Sequence, residues 1–117
     1  MEIKSNAPVF YQIAEAIKKQ IFNGEYTVGQ KLPSIRDLGV RLKINPNTIV
    51  HVYELLENEG FIYTESTNGK YVILDEKKLT ELKKKYLKEK TEGFIRDMTD
   101  CGLSMQDIRG EIEKYEQ

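Results

Sequence analysis

Apolar residues recur at steps of three and four over residues 8–23, where Phe10, Ile13, Ala14, Ile17 and Ile21 fall on one stripe and predict a first helix. Pro8 suits the first helical position and Gly24 the position just past the end. Tyr26-Thr27-Val28-Gly29 reads as a turn. Leu32-Pro33 then leads to Ser34, with Asp37 three residues on, a capping pattern for a second helix over 34–42. Ile35, Leu38 and Leu42 form its inward side. After a short turn at Lys43-Ile44, Asn45 is a good N-cap and Pro46 a good first residue for a third helix. That helix runs to about residue 58 with Ile49, Val52, Tyr53 and Leu56 inward, and Gly60 stops it.

The pattern then changes period. Residues 61–65 and 70–74 are rich in aromatic and β-branched side chains, and Thr67-Asn68-Gly69 between them is a hairpin signal. Residues 75–99 return to helical spacing, with Leu79, Leu82, Tyr86, Phe94, Ile95 and Met98 as an intermittent apolar face. Gly102 marks the end, and Ser104 with Asp107 caps a last helix over 104–116 with a stripe of Met105, Ile108, Ile112 and Tyr115. The expected fold class is mostly α with a small β-hairpin. The natural boundary falls near Leu74-Asp75, giving domains over 1–74 and 75–117.

Composition narrows the classes. The 117 residues are 39% apolar and 32% charged, enough for a small core and too apolar for a disordered chain. No apolar run approaches the ~18 residues of a membrane span, and the N-terminus lacks the basic-then-apolar order of a signal peptide. The expectation is a soluble, cytoplasmic protein without membrane partners. One cysteine, Cys101, and one histidine, His51, leave no internal disulfide, no multi-His metal centre and no His-dependent catalysis. Without a catalytic triad, phosphate loop or metal cluster, neither an enzyme nor a cofactor is expected.

The net charge of −1 argues against a polyanion partner until its distribution is examined. Residues 31–51 hold Lys31, Arg36, Arg41 and Lys43 against Asp37 alone, and residues 77–90 hold seven lysines against Glu81 and Glu89. Phosphate senses charge within a Debye length of about 8 Å, so local sign governs.

Two short helices joined by a tight turn form a helix-turn-helix, and a hairpin directly after them makes it winged. A helix about 10–12 Å across fits the major groove of duplex DNA. The third helix begins Asn45-Pro46-Asn47-Thr48, small polar side chains that reach phosphates and base edges; Asn pairs bidentately with adenine.

Residues 8–72 resemble the GntR family of bacterial transcription regulators. The likeness is carried by Pro8-Val9-Phe10-Tyr11-Gln12-Ile13, Gly24, Gly29 to Leu38, Asn45 to Ile49, Tyr53, Leu56 and Glu59-Gly60-Phe61-Ile62. Two positions depart from the family pattern. Gly39 stands where a small Ala is usual, which weakens that helix by about 1 kcal/mol. Thr67-Asn68-Gly69-Lys70-Tyr71-Val72 stands where the wing usually reads Gly-x-Gly-Thr-Phe-Val. The resemblance implies that Lys31, Pro33, Ser34 and Arg36 meet DNA at the second helix, and Asn45, Pro46, Asn47 and Thr48 at the recognition helix. Val50 and His51 lie on that helix's exposed side, where His51 either contacts DNA or is merely exposed. Asn68, Gly69 and Lys70 approach the adjacent groove or backbone, Lys70 with a charge for a phosphate.

A tail of 43 residues is too short for the large effector domains most members append, and two helices resemble the YtrA-like branch, in which the tail dimerises. Its regulators are often associated with transporter genes. An isolated helix of about 12 residues is marginal in water, so the apolar faces at Leu79, Leu82, Tyr86, Phe94, Ile95, Met98, Met105, Ile108, Ile112 and Tyr115 either close on each other within one chain or, as favoured here, form a homodimer seam. The expected whole is a winged helix-turn-helix followed by a two-helix C-terminal dimerisation tail, a repressor reading a near-palindrome on double-stranded DNA. Whether a small-molecule effector exists stays open. The acids Glu54, Glu57 and Glu59 leave a second reading, a winged-helix adaptor that binds protein and not DNA.

Overall fold

The computed structural model of the chain describes residues 8–66 and 69–116. Its elements run α1 (Val9–Phe22), α2 (Ile35–Leu42), α3 (Pro46–Asn58), β1 (Ile62–Glu65), β2 (Gly69–Val72), α4 (Glu76–Asp100) and α5 (Met105–Glu113). It is a mostly helical chain with one antiparallel hairpin, Ile62 opposite Val72 and Thr64 opposite Lys70. The chain divides into two compact units within α4, after Thr80.

In the first unit the predicted stripes meet. Ile13, Ile17 and Ile21 of α1 are buried with Ile49, Val52 and Leu56 of α3, and α1 and α2 each pack on α3. Leu32, Phe61, Ile62 and Val72 extend this core under the hairpin. The Lys18 ammonium, half-buried over the Phe61 ring, pairs with Glu59 at 2.9 Å and ties α1 to the end of α3. α2 buries Leu38 and Gly39, while Ile35 and Leu42 are half-buried.

Gly39 has a steric reason beyond helix propensity. A Cβ there would stand 2.9 Å from the Ile44 carbonyl oxygen, and Ile44 N–H donates to the Gly39 carbonyl at 2.9 Å. The glycine lets the turn close tightly on α2. Lys43, which ends α2, adopts the left-handed region at φ 56°.

The hairpin differs from expectation at its second strand, which ends at Val72 and not Leu74. Ile73 N–H turns to the Phe61 carbonyl at 3.1 Å, and Leu74 is exposed. The free edge of β2 is instead used by residues 29–32. Gly29 N–H donates to Val72, Val72 N–H to Gln30 and Leu32 N–H to Lys70. Four residues before a proline carry too short an alternation to announce a strand.

In the second unit, α5 begins with a full capping box: Ser104 Oγ accepts from Asp107 N–H at 3.1 Å, and the Asp107 carboxylate accepts from Ser104 N–H at 2.9 Å. The Ser104 N–H bond to the carboxylate most, and the Ser104 hydroxyl after it, favour the ionised form and hold Asp107 below the usual carboxylate range. Ile108 is buried beside an open groove of about 530 Å³ floored by Phe94, Met98 and Leu103 and rimmed by Glu111 and Lys114.

Candidate nucleic-acid interface

Burial of Ile49, Val52, Tyr53 and Leu56 fixes which side of α3 faces outward. At 100° per residue the opposite stripe is Asn47, His51, Glu54 and Asn58, and all four are exposed. The helix start is open to solvent: Asn45, Pro46 and Asn47 are exposed, while Thr48 and Val50 are half-buried. The Asn45 side chain accepts from Asn47 N–H at 2.8 Å, so it caps the helix. Pro46 has no N–H and Thr48 N–H donates to the Asn45 carbonyl at 2.9 Å, so side chains, not free amides, are what this helix start offers a ligand.

α2 presents a second group. Ser34 Oγ accepts from Asp37 N–H at 3.0 Å, and Arg36 projects from the exposed side of the same turn. Pro33, half-buried, is held from below: the buried Tyr53 hydroxyl donates to its carbonyl at 2.6 Å. Burial pushes the Tyr53 phenol well up; Tyr26 adds to the shift and Arg41 opposes it. Tyr53 thus ties to α3 the segment that leads into Ser34 and Arg36. The sequence marked Tyr53 as core and gave no sign of this bond.

Lys31 is exposed and lies beside the hairpin. Its backbone bridges to Tyr71, and its Cε stands 3.4 Å from where a Cβ on Gly69 would be. Gly69 itself has φ 100°. Asn68, expected at the wing tip, lies outside the described residues. Lys70 turns back onto its own protein. Its ammonium donates to Glu57 Oε1 at 3.1 Å and to Thr64 Oγ1, and the Thr64 hydroxyl donates to the same Glu57 oxygen at 2.6 Å. The Thr64 bond first and the Lys70 bond second hold the Glu57 carboxyl below its ordinary range. This clamp joins both strands of the wing to the last turn of α3. Glu57 and Thr64 were not among the expected site residues, since cross-element register has no signature in sequence.

The charge around α3 is asymmetric. α3 carries no lysine or arginine. Lys31, Arg36, Arg41 and Lys43 are exposed, and among the described residues no ion pair engages them. Of the three acids that allowed the adaptor reading, Glu57 and Glu59 are engaged with Lys70 and Lys18. Glu54 remains exposed, with His51 Nδ1 at 3.7 Å, and the Phe10 ring centroid lies 6.0 Å from that of His51.

The residues expected at a dimer seam are distributed as follows. Leu79 is half-buried in the first unit. In the second, Leu82, Tyr86, Ile95 and Met98 are half-buried, and Ile108 is buried. Phe94, Met105, Ile112 and Tyr115 are 45%, 41%, 48% and 79% exposed. α4 buries none of its 25 residues. Among the described residues no group of His, Cys, Asp and Glu is arranged to hold a metal ion, and no helix is long and apolar enough to cross a membrane.

Comparison with known proteins gives a consistent picture. The sequence pattern of the bacterial regulatory proteins of the gntR family matches residues 11–72. An uncharacterised HTH-type transcriptional regulator of Bacillus subtilis, YhcF, is 32% identical over 114 residues, covering 97% of this chain and 94% of that protein. The HTH-type transcriptional repressor YtrA of the same organism is 32% identical over 112 residues, covering 95% and 86%. A solved GntR family transcriptional regulator from Listeria monocytogenes superposes with a TM-score of 0.87 at 34% identity, covering 97% of this chain and all of that one.

Proposed function

The chain belongs to the GntR family and is a DNA-binding transcription regulator, and from that premise we propose that it acts as a homodimeric repressor in the cytoplasm, blocking transcription by occupying a near-palindromic operator. The observation that carries this is the open tip of α3. Asn45, Pro46 and Asn47 are exposed, and in the chain just before them Lys31, Arg36, Arg41 and Lys43 are exposed with no ion pair among the described residues. In this reading Asn47 and Thr48 meet base edges in the major groove, with Val50 and His51 alongside. Ser34, Arg36, Lys31 and the chain at Pro33 and Pro46 hold the backbone and fix the register. The wing tip at Asn68 and Gly69 follows the neighbouring strand, while Lys70, bound to Glu57, sets the angle of the wing.

Dimerisation is supported by α4, no residue of which is fully buried in the single chain, and by the exposed Phe94, Ile112 and Tyr115. One module has a small footprint; two linked modules gain affinity through effective concentration. Residues 1–74 are the reading domain and 75–117 the dimerising tail in this account. Control of transporter genes is the target class suggested by the YtrA-like resemblance.

The test is affinity for the DNA upstream of the chain's own operon, measured against salt. Log K should fall steeply with log salt, by about 0.9 per phosphate contacted. Arg36→Ala combined with Asn47→Ala should abolish the preference over random DNA. A flat salt response, or no preference in the unaltered protein, refutes the proposal.

A further inference from the structure

We propose that Glu54 is a base-reading residue that selects a cytosine in each half-site; this rests on the DNA-reading role of α3. Asn47, His51 and Glu54 are spaced i, i+4 and i+7 on the outward stripe and are all exposed. Seven residues of helix span about 10 Å, or about three base pairs, so a helix whose start contacts bases brings its third turn, with Glu54, over later steps of the groove.

A carboxylate there accepts and cannot donate. Of the four base edges in the major groove, cytosine offers an N4 amino donor with no acceptor beside it, whereas adenine places N7 next to its amino group and guanine offers only acceptors. The acid also repels phosphate, and α3 has no lysine or arginine to offset it. Glu54 therefore penalises sequence-independent contact while favouring one base pair, which raises discrimination at the expense of raw affinity. Beside it on the helix is His51, whose Nδ1 lies 3.7 Å from Oε2 and whose ring is tilted beside Phe10 of α1. Glu57 and Glu59, by contrast, are turned into the protein by Lys70 and Lys18 and take no part.

The experiment compares the full chain and Glu54→Gln on a library of operator variants carrying every base at every position. The unaltered protein should show one C·G column per half-site whose replacement weakens binding about tenfold, the scale of one good base contact. Glu54→Gln should flatten that column alone, leave the Asn47-dependent columns intact, and bind random DNA several-fold more tightly. An unchanged Tm for the variant separates this from misfolding. Identical base profiles for the two proteins overturn the role of Glu54 while leaving DNA reading by α3 standing. Absence of any base preference in the unaltered chain overturns both.

Discussion

Replacing Tyr53 with phenylalanine removes one oxygen atom from the middle of the DNA-binding unit. The side chain is 1% exposed, and its hydroxyl donates at 2.6 Å to Pro33 O. The ring keeps its packing, so no cavity opens, and the loss is that of a buried hydrogen bond with the carbonyl left unserved, about 1–2 kcal/mol. In a unit of this size that lowers Tm by about 5–10 °C, read by thermal unfolding at fixed protein concentration. A pH series provides an independent check. Burial raises the phenol pKa in the folded state above its ordinary 10.0, so the neutral hydroxyl's contribution is fully present below pH 10. It is lost as pH rises further, because the unfolded chain ionises first. The stability gap between the unaltered protein and Tyr53→Phe should therefore be constant from neutrality to about pH 10 and close above it. A Tm within 1 °C of the unaltered protein, or a gap that does not narrow in alkali, would refute the claim that this bond fixes the entry to α2.

Three other changes follow from the same contacts. Glu57→Gln should weaken the wing clamp by less than about 1 kcal/mol, since the pair is partly open to solvent and screened by it. Because the Glu57 pKa is lowered from 4.5, its contribution is present above that pH and fades as pH falls through the folded value, so the variant should lose less stability than the unaltered chain in acid titrations. Ser104→Ala should remove the N-cap of α5 at a cost of about 1 kcal/mol, seen as reduced helicity by circular dichroism and a weaker dimer by sedimentation. Lys43→Gly should relieve the left-handed backbone at the helix-turn-helix junction and raise stability by roughly 1 kcal/mol in urea unfolding, while lowering DNA affinity through the lost charge.

The elements that could be read from sequence are those whose determinants are local. Ser34 with Asp37, Asn45 with Pro46, and Ser104 with Asp107 each place a helix start, because the cap and its backbone donor lie within three residues. The stripes of α1 and α3 were visible because a 3.6-residue period repeats over several turns. What escaped reading depends on partners distant in the chain. The pairing of residues 29–32 with β2, the Glu57–Thr64–Lys70 clamp and the Tyr53–Pro33 bond span intervals of six to some forty residues. Lys70 illustrates the consequence. Its sequence neighbourhood suggests a free wing charge, yet the strand register points it to the same side as Thr64, towards α3. Gly39 likewise reads as a weakness in a helix until the Ile44 carbonyl is seen above it.

The central claim is that two copies of α3, held at fixed spacing by the paired tails, read duplex DNA. Selection of bound duplexes from a random pool by the purified full chain tests it most directly. The account predicts an inverted repeat whose half-site centres lie one or more helical turns apart, about 10–10.5 base pairs each. Recovery of a single unrepeated half-site, or of no enriched sequence at all, would contradict it.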